Sequence, residues 1–337
     1  MRRLLPLGAL VLLAGCAGIQ SSNGRDGTHG ALIGGLFDKF LWTTVVVYLF
    51  VMVLLALAIV HGRDNRRGNA GLQGEPPVEA EHGWRSGLTA FAGATTLILA
   101  VLAIATWFTD RSLARASANP ALEVEVTGNQ WWWDVRYKDP VSSYIVHTAN
   151  ELHLPAGRTT RITLKSVDVI HSLWIPNLAG KQDLIPGRKT ALELHPLHTG
   201  RFRAQCAEFC GMQHAHMALD VSVDDPQAFS TWYAAGLKNP PIPTGGQALA
   251  GYLLFQTLQC SSCHNVSGTP ASGQIAPDLT HVASRRTIAS GTLPANHDGF
   301  AAWVQDPQQA KPGNHMPKVP LSPAELAAVT AYLETLR

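Results

Sequence analysis

The sequence predicts a multi-domain protein: a two-span transmembrane α-hairpin, then a β-sandwich, then an all-α C-terminal domain. Three observations predict it. Two long apolar runs carry no charge, a middle stretch alternates apolar and polar residues between glycines and prolines, and a proline-rich joint precedes a stretch of short helices. At 337 residues the chain can hold two or three units, each with its own core. Charged residues make up only 15% and mean hydropathy is slightly positive, too apolar for an ordinary soluble enzyme. The formal net charge of +2 argues against a nucleic-acid partner, which needs a concentrated basic face.

Residues 1–15 place Arg2 and Arg3 before an apolar run and end on Leu13-Ala14-Gly15-Cys16, the layout of an export signal. The L-A-G-C ending resembles a bacterial lipoprotein signal, which implies cleavage and a lipid on Cys16; an uncleaved leader is the other reading. Residues 16–39 form an outward-facing segment, and residues 40–110 the transmembrane hairpin. Phe40 to Val60 and Leu88 to Phe108 each approach the roughly 20 residues that a helix needs to cross about 30 Å of hydrocarbon. Arg63, Arg66, Arg67 and Arg85 lie between them, so the loop stays in the cytoplasm and both flanks face outward. Residues 118–236 carry the strand-like runs L-E-V-E-V-T, T-T-R-I-T-L-K and T-A-L-E-L-H. Residues 237–246 are a Pro/Gly linker, and residues 247–337 read as short helices. The closing helix has Ser322 as N-cap, Pro323 at its first position and Glu325 at its third.

All five cysteines fall inside motifs. Cys260-Ser261-Ser262-Cys263-His264 is C-x-x-C-H: two thiols on one turn can form thioethers to haem vinyl groups, and the next histidine can reach the iron. In an exported chain the two thiols could instead form a disulfide. The surroundings resemble a small class I cytochrome c. They comprise Gly251-x-x-x-Phe255, then Ile275-Ala276-Pro277-Asp278-Leu279-Thr280 beside the proximal histidine, and Gly313-Asn314-His315-Met316-Pro317. The resemblance implies a covalent haem c held by Cys260 and Cys263, with His264 and Met316 as axial ligands and His315 as rival. Two filled axial positions leave none for dioxygen, so this haem carries electrons.

Cys206-Ala-Glu208-Phe-Cys210-Gly-Met-Gln-His214-Ala-His216-Met217 gathers thiolate, imidazole and thioether, a set that favours copper. Two thiolates four apart can each bridge the same two metals. Rival readings are a disulfide, a zinc site, and His216 in place of His214. A second imidazole must come from elsewhere, and His171 in His171-Ser172-Leu173-Trp174-Ile175-Pro176 is the candidate.

The pair H-S-x-W-x-P and C-x-E-x-C-x-x-x-H-x-x-M is similar to subunit II of haem–copper oxidases, over roughly residues 30–236. That resemblance implies a cupredoxin-like β-sandwich and a binuclear copper centre. Its ligands would be His171, Cys206, Cys210, His214, Met217 and the Glu208 carbonyl, with the Glu208 carboxylate facing a magnesium ion shared with subunit I. Gly128-Asn129-Gln130-Trp131-Trp132-Trp133 resembles the family's tryptophan segment, implying that Trp131 lies near the surface above the copper and admits electrons. The combined expectation is the electron-inlet subunit of a cytochrome c oxidase in the bacterial inner membrane, its metal domains on the outer face. Its partners would be subunit I, further membrane subunits and a soluble cytochrome c donor. A nitric oxide reductase with the same kind of copper subunit, and a membrane-anchored carrier with no catalytic partner, are the alternatives. The start of the second span, His82 to Leu88, has no acid after Glu81, so no proton-uptake residue is assigned.

Overall fold

The computed structural model describes residues 18–68, 78–115, 120–138 and 145–337. The signal segment 1–15 and Cys16 lie outside the described residues. Two long helices come first, α1 (Thr28–Gly68) and α2 (Val78–Leu113), both long and apolar enough to cross a membrane. Each extends beyond the uncharged run read in the sequence, because a helix ends where its hydrogen-bond ladder stops and not where polarity changes. Large apolar side chains such as Trp42 and Leu88 are exposed along them, as a lipid-facing surface requires.

The middle domain is a sandwich of two five-stranded sheets. One has the order β3 (Ile145–Ala149), β2 (Trp132–Lys138), β1 (Leu122–Asn129), β5 (Thr160–Ser166), β8 (Thr190–Leu194). The other runs β4 (Glu151–Pro155), β10 (Ala218–Asp224), β9 (Gly200–Cys206), β6 (His171–Trp174), β7 (Gln182–Leu184). β1 pairs with β5, and β4 with β10, in parallel; the other neighbours are antiparallel. Alternation along each strand sends Val124, Val126, Val135, Ile162, Leu164, Leu152, Leu154 and Val221 into one shared core. Helix α3 (Pro226–Gly236) is capped by the Asp225 carboxylate, which accepts from Gln227 N–H and Ala228 N–H. Its Trp232 stacks on His153 at 4.0 Å and meets the buried Tyr137 edge-on.

The segment before α1 is tied to this sandwich. Asp26 N–H donates to Asn177 O (3.0 Å), Ser21 N–H to Asn177 Oδ1 (2.8 Å), and Gly27 bridges Pro196. Contact is close enough that a Cβ on Gly24 would stand 2.6 Å from Asn177 Cα, and one on Gly27 2.5 Å from Leu178 O.

The C-terminal domain contains α4 (Gly246–Thr257), α5 (Cys260–Cys263), α6 (His297–Gln305), α7 (Pro307–Ala310) and α8 (Pro323–Leu333), with a two-stranded ribbon, β11 (Thr287–Ile288) and β12 (Leu293–Pro294). Phe255, Phe300, Val329, Tyr332 and Leu333 form its core. The capping box on α8 forms as read: Ser322 Oγ accepts from Glu325 N–H while the Glu325 carboxylate accepts from Ser322 N–H. This domain packs on the sandwich through polar contacts. Ala218 N–H donates to Ser290 O (3.2 Å), Gln213 Nε2 to Pro312 O (2.7 Å), and Arg286 pairs with Asp220. His147 stands between Asp134 (2.5 Å) and Asp278 (3.3 Å), and Arg285 lies 3.8 Å from Glu151.

Candidate metal centres and the residue between them

The loop from the end of β9 into β10 gathers soft donors over the end of the sandwich. Cys206 Sγ lies 3.7 Å from Cys210 Sγ, 3.8 Å from His171 Nδ1 and 3.2 Å from Glu208 O. Cys210 Sγ lies 3.6 Å from His214 Nδ1 and 3.9 Å from Met217 Sδ. His171 reaches the cluster from β6, where it is fully buried; Gly128 admits the ring, since a Cβ there would stand 2.8 Å from His171 Cδ2. All six donors predicted from the sequence are thus brought together. His216 is exposed in the 3-10 turn His214–His216, and no contact joins it to the cysteines.

Neither cysteine is in a disulfide, and the hydrogen bond from Cys210, then that from His171, pulls Cys206 far down against burial. A thiolate pair with two imidazoles, a buried thioether and a carbonyl matches soft-metal coordination, and copper in particular; a closed tetrahedral zinc site would leave donors over. Asp168 completes the arrangement. Its Oδ1 lies 2.8 Å from His171 Nε2 and accepts from Val169 N–H at 2.7 Å, while Oδ2 accepts from Gln130 N–H at 2.7 Å. The carboxylate therefore fixes the ring with Nδ1 toward the thiols. Sequence reading missed it, although an acid three residues before a ligand histidine was a visible signal.

The second arrangement lines a cavity of about 320 Å³ in the C-terminal domain, with Cys260, Cys263, His264, His315 and Met316 on its walls. The two cysteines sit on the single turn α5 with free thiols. His264 Nδ1 must donate to Pro277 O (2.7 Å), since a carbonyl only accepts, so Nε2 keeps its lone pair for a ligand. Burial also lowers the pKa of His264 and keeps the ring neutral. Met316 is placed by its own loop: Met316 N–H donates to Asn314 Oδ1 (2.8 Å), and Met316 O accepts from Gln308 Nε2 (3.1 Å). The mostly apolar walls, two thiols, imidazole and thioether fit a haem.

Trp131 stands between the two arrangements. Its indole lines the cavity, and Nε1–H donates to Cys210 O at 2.9 Å. The sequence reading put this side chain near the surface. Here it is 7% exposed, because the chain's own C-terminal domain covers it: Trp131 O accepts from Ser290 Oγ (2.8 Å) and Lys311 Nζ (3.0 Å), and the His315 ring lies 5.5 Å from the indole. Gly211, at φ +113° and with its Cβ position 2.9 Å from the indole, leaves room for it. Ser290 and Lys311 could not be picked out in the sequence, where they lie far from Trp131.

A sandwich with a soft-metal loop, joined to a helical domain with a haem motif, defines a membrane-anchored electron carrier, and comparison with known proteins narrows the class. Residues 122–223 match the family described as cytochrome c oxidase subunit II, periplasmic domain, and residues 248–337 match cytochrome c. Cytochrome c oxidase subunit 2 of Alkalihalophilus pseudofirmus is 29% identical over 99% of this chain and 97% of its own length. That of Bacillus sp. (strain PS3) is 31% identical over 72% of this chain and 71% of its own. The periplasmic domain of subunit II of cytochrome oxidase (CoxB) of Bradyrhizobium japonicum aligns at TM-score 0.34 and 28% identity, over 36% of this chain and 96% of that one. The chain belongs to the cytochrome c oxidase subunit 2 family, in a form with a C-terminal cytochrome c domain. It is a component of a haem–copper oxidase, and its family and domains imply haem and copper.

Proposed function

We propose that this chain is the electron-inlet subunit of a bacterial respiratory oxidase. When bound, one haem c and a binuclear copper centre would supply one-electron chemistry, and the chain would serve to pass electrons from a soluble cytochrome c to the haems of subunit I for dioxygen reduction coupled to proton pumping. Cys260 and Cys263 would hold the haem covalently, and His264 and Met316 would donate to its iron. His171, Cys206, Cys210, His214, Met217 and the Glu208 carbonyl would hold the copper pair. The Glu208 carboxylate, 46% exposed, offers itself to a magnesium ion shared with subunit I. Helices α1 and α2 cross the inner membrane with their arginine-bearing ends inside, and Cys16, lipidated, sits with both metal domains on the periplasmic face.

One observation carries this reading: the buried Trp131 lines the cavity that Cys260, Cys263, His264 and Met316 share, and its indole N–H donates to the backbone of a copper-loop cysteine. Trp131 therefore acts inside the chain, and the external donor docks on the C-terminal domain that covers it. The test is gas consumption by the detergent-solubilised complex isolated through this chain and supplied with reduced cytochrome c. Cyanide-sensitive dioxygen uptake supports the reading. Uptake of nitric oxide without dioxygen overturns the oxidase assignment and keeps the ligands, and uptake of neither leaves a carrier with no catalytic partner.

A further inference from the structure

Lys311 is a buried cation with no carboxylate partner among the described residues. It is 3% exposed, and its Nζ donates to two backbone carbonyls of the sandwich, Trp131 O (3.0 Å) and His216 O (3.1 Å). Among the described residues no carboxylate lies within ion-pair distance of it. Burying an ammonium in this way is costly, and two neutral carbonyls offset only part of the cost. Hydrogen bonding alone gives no reason for a cation here, because a neutral donor would satisfy the same two carbonyls without burying a charge.

Its place between the two centres supplies a reason. The side chain lines the haem cavity, and the carbonyl of His216 that it holds immediately precedes the copper donor Met217. Its own carbonyl accepts from Asn314 Nδ2 (2.7 Å), and Asn314 Oδ1 in turn accepts from Met316 N–H (2.8 Å). Lys311 is thus one link from the backbone of the haem's proposed sixth donor and one link from that of a copper donor. It also grips the carbonyl of the tryptophan between them.

Resting on the haem-to-copper path proposed above, we propose that Lys311 is a positioning residue whose positive charge stabilises the reduced state of both centres and holds Trp131 between them. An electron arriving at either centre adds negative charge near a fixed cation in a poorly screened interior, so its arrival is favoured at both. Desolvation lowers the pKa of the ammonium to about 8, against the opposing pull of Cys210.

The test measures both midpoint potentials in the intact complex by redox titration, reading the haem by its absorbance and the copper by its paramagnetic signal. Lys311→Gln keeps a donor for the carbonyls and removes the charge, Lys311→Met removes both, and Lys311→Arg keeps the charge. The expected result is that Gln and Met lower both potentials and Arg restores them toward wild type. Met should also slow haem-to-copper electron transfer after flash reduction more than Gln does. An unchanged or raised potential at either centre in Lys311→Gln, with haem content and copper signal intact, overturns the proposal. Should Gln and Met lose haem, wild-type potentials in Lys311→Arg support the charge and lowered ones overturn it. Wild-type complex lacking the haem band or the shared-electron copper signal would instead overturn the path itself, so the two failures are distinct.

Discussion

Asp168 shows what a single residue outside the donor set contributes. The side chain accepts from two backbone N–H groups and meets the far nitrogen of His171, so it ties the strand-end loop, Gln130 and the ring into one geometry. Burial works against its charge, but the hydrogen bonds with His171, Val169 N–H and Gln130 N–H outweigh it and hold its carboxyl below the usual range. Asp168→Ala releases the ring and should weaken copper binding about 10–100-fold, the usual effect of losing an outer partner of a ligand histidine. Asp168→Asn, which keeps an acceptor and loses the charge, should cost less. Copper competition against a chelator ranks the three proteins, and equal affinities would remove Asp168 from the site. The donors themselves were legible as residue types because thiolate, imidazole and thioether concentrate within twelve positions from Cys206 to Met217. His171, thirty-five positions away from Cys206, entered only as a candidate second imidazole that the resemblance then made specific, since no local spacing links it to that loop.

At the scale of elements, legibility followed length and chemistry. The runs read as strands became β1, β5 and β8, because five or more residues give a two-residue period room to show. β6 and β7, with four and three residues, carry no readable period, yet β6 delivers His171. The G-x-x-x-F pattern in α4 has a concrete cause in the crossing of α4 and α8. A Cβ on Gly251 would stand 1.9 Å from Ala328 O and 2.9 Å from Tyr332 Cβ, and backbone cannot yield as a flexible side chain would. Gly251→Ala should therefore force the helices apart and destabilise the haem domain by about 1–3 kcal/mol, the range of overpacked contacts. Thermal unfolding followed by haem absorbance measures it, and an unchanged midpoint would mean that the helices do not meet this closely.

At the scale of the whole molecule, the fold class was legible because apolar runs, alternation and a proline-rich joint are local. The contact between sandwich and haem domain was not, because its members are scattered: Asp134, His147, Glu151 and Asp220 on one side, Asp278, Arg285 and Arg286 on the other. No window of sequence contains such a network, and each member alone passes for a solvated surface charge. Its chemistry makes the joint pH-dependent. Burial works against the charge on His147, but the flanking Asp134 and Asp278 outweigh it and hold the imidazole up at about 9. Asp278 is held down to about 2, chiefly by His147 against its own burial. A histidine whose pKa rises from 6.5 to about 9 on folding contributes stability that is full below pH 6.5 and lost as pH climbs through 9. The shift corresponds to about 3 kcal/mol at most, and the aspartate's share is lost only in acid, below its unfolded value of 3.8. His153, held up at about 9 by Asp224 and Glu151 against burial, works in the same window. Urea denaturation of the detergent-purified chain should therefore give midpoints that fall from pH 6.5 to 9. In His147→Asn the fall should be shallower, with the loss relative to wild type concentrated at the lower pH. Parallel curves for the two proteins would show that this histidine carries no charge in the joint.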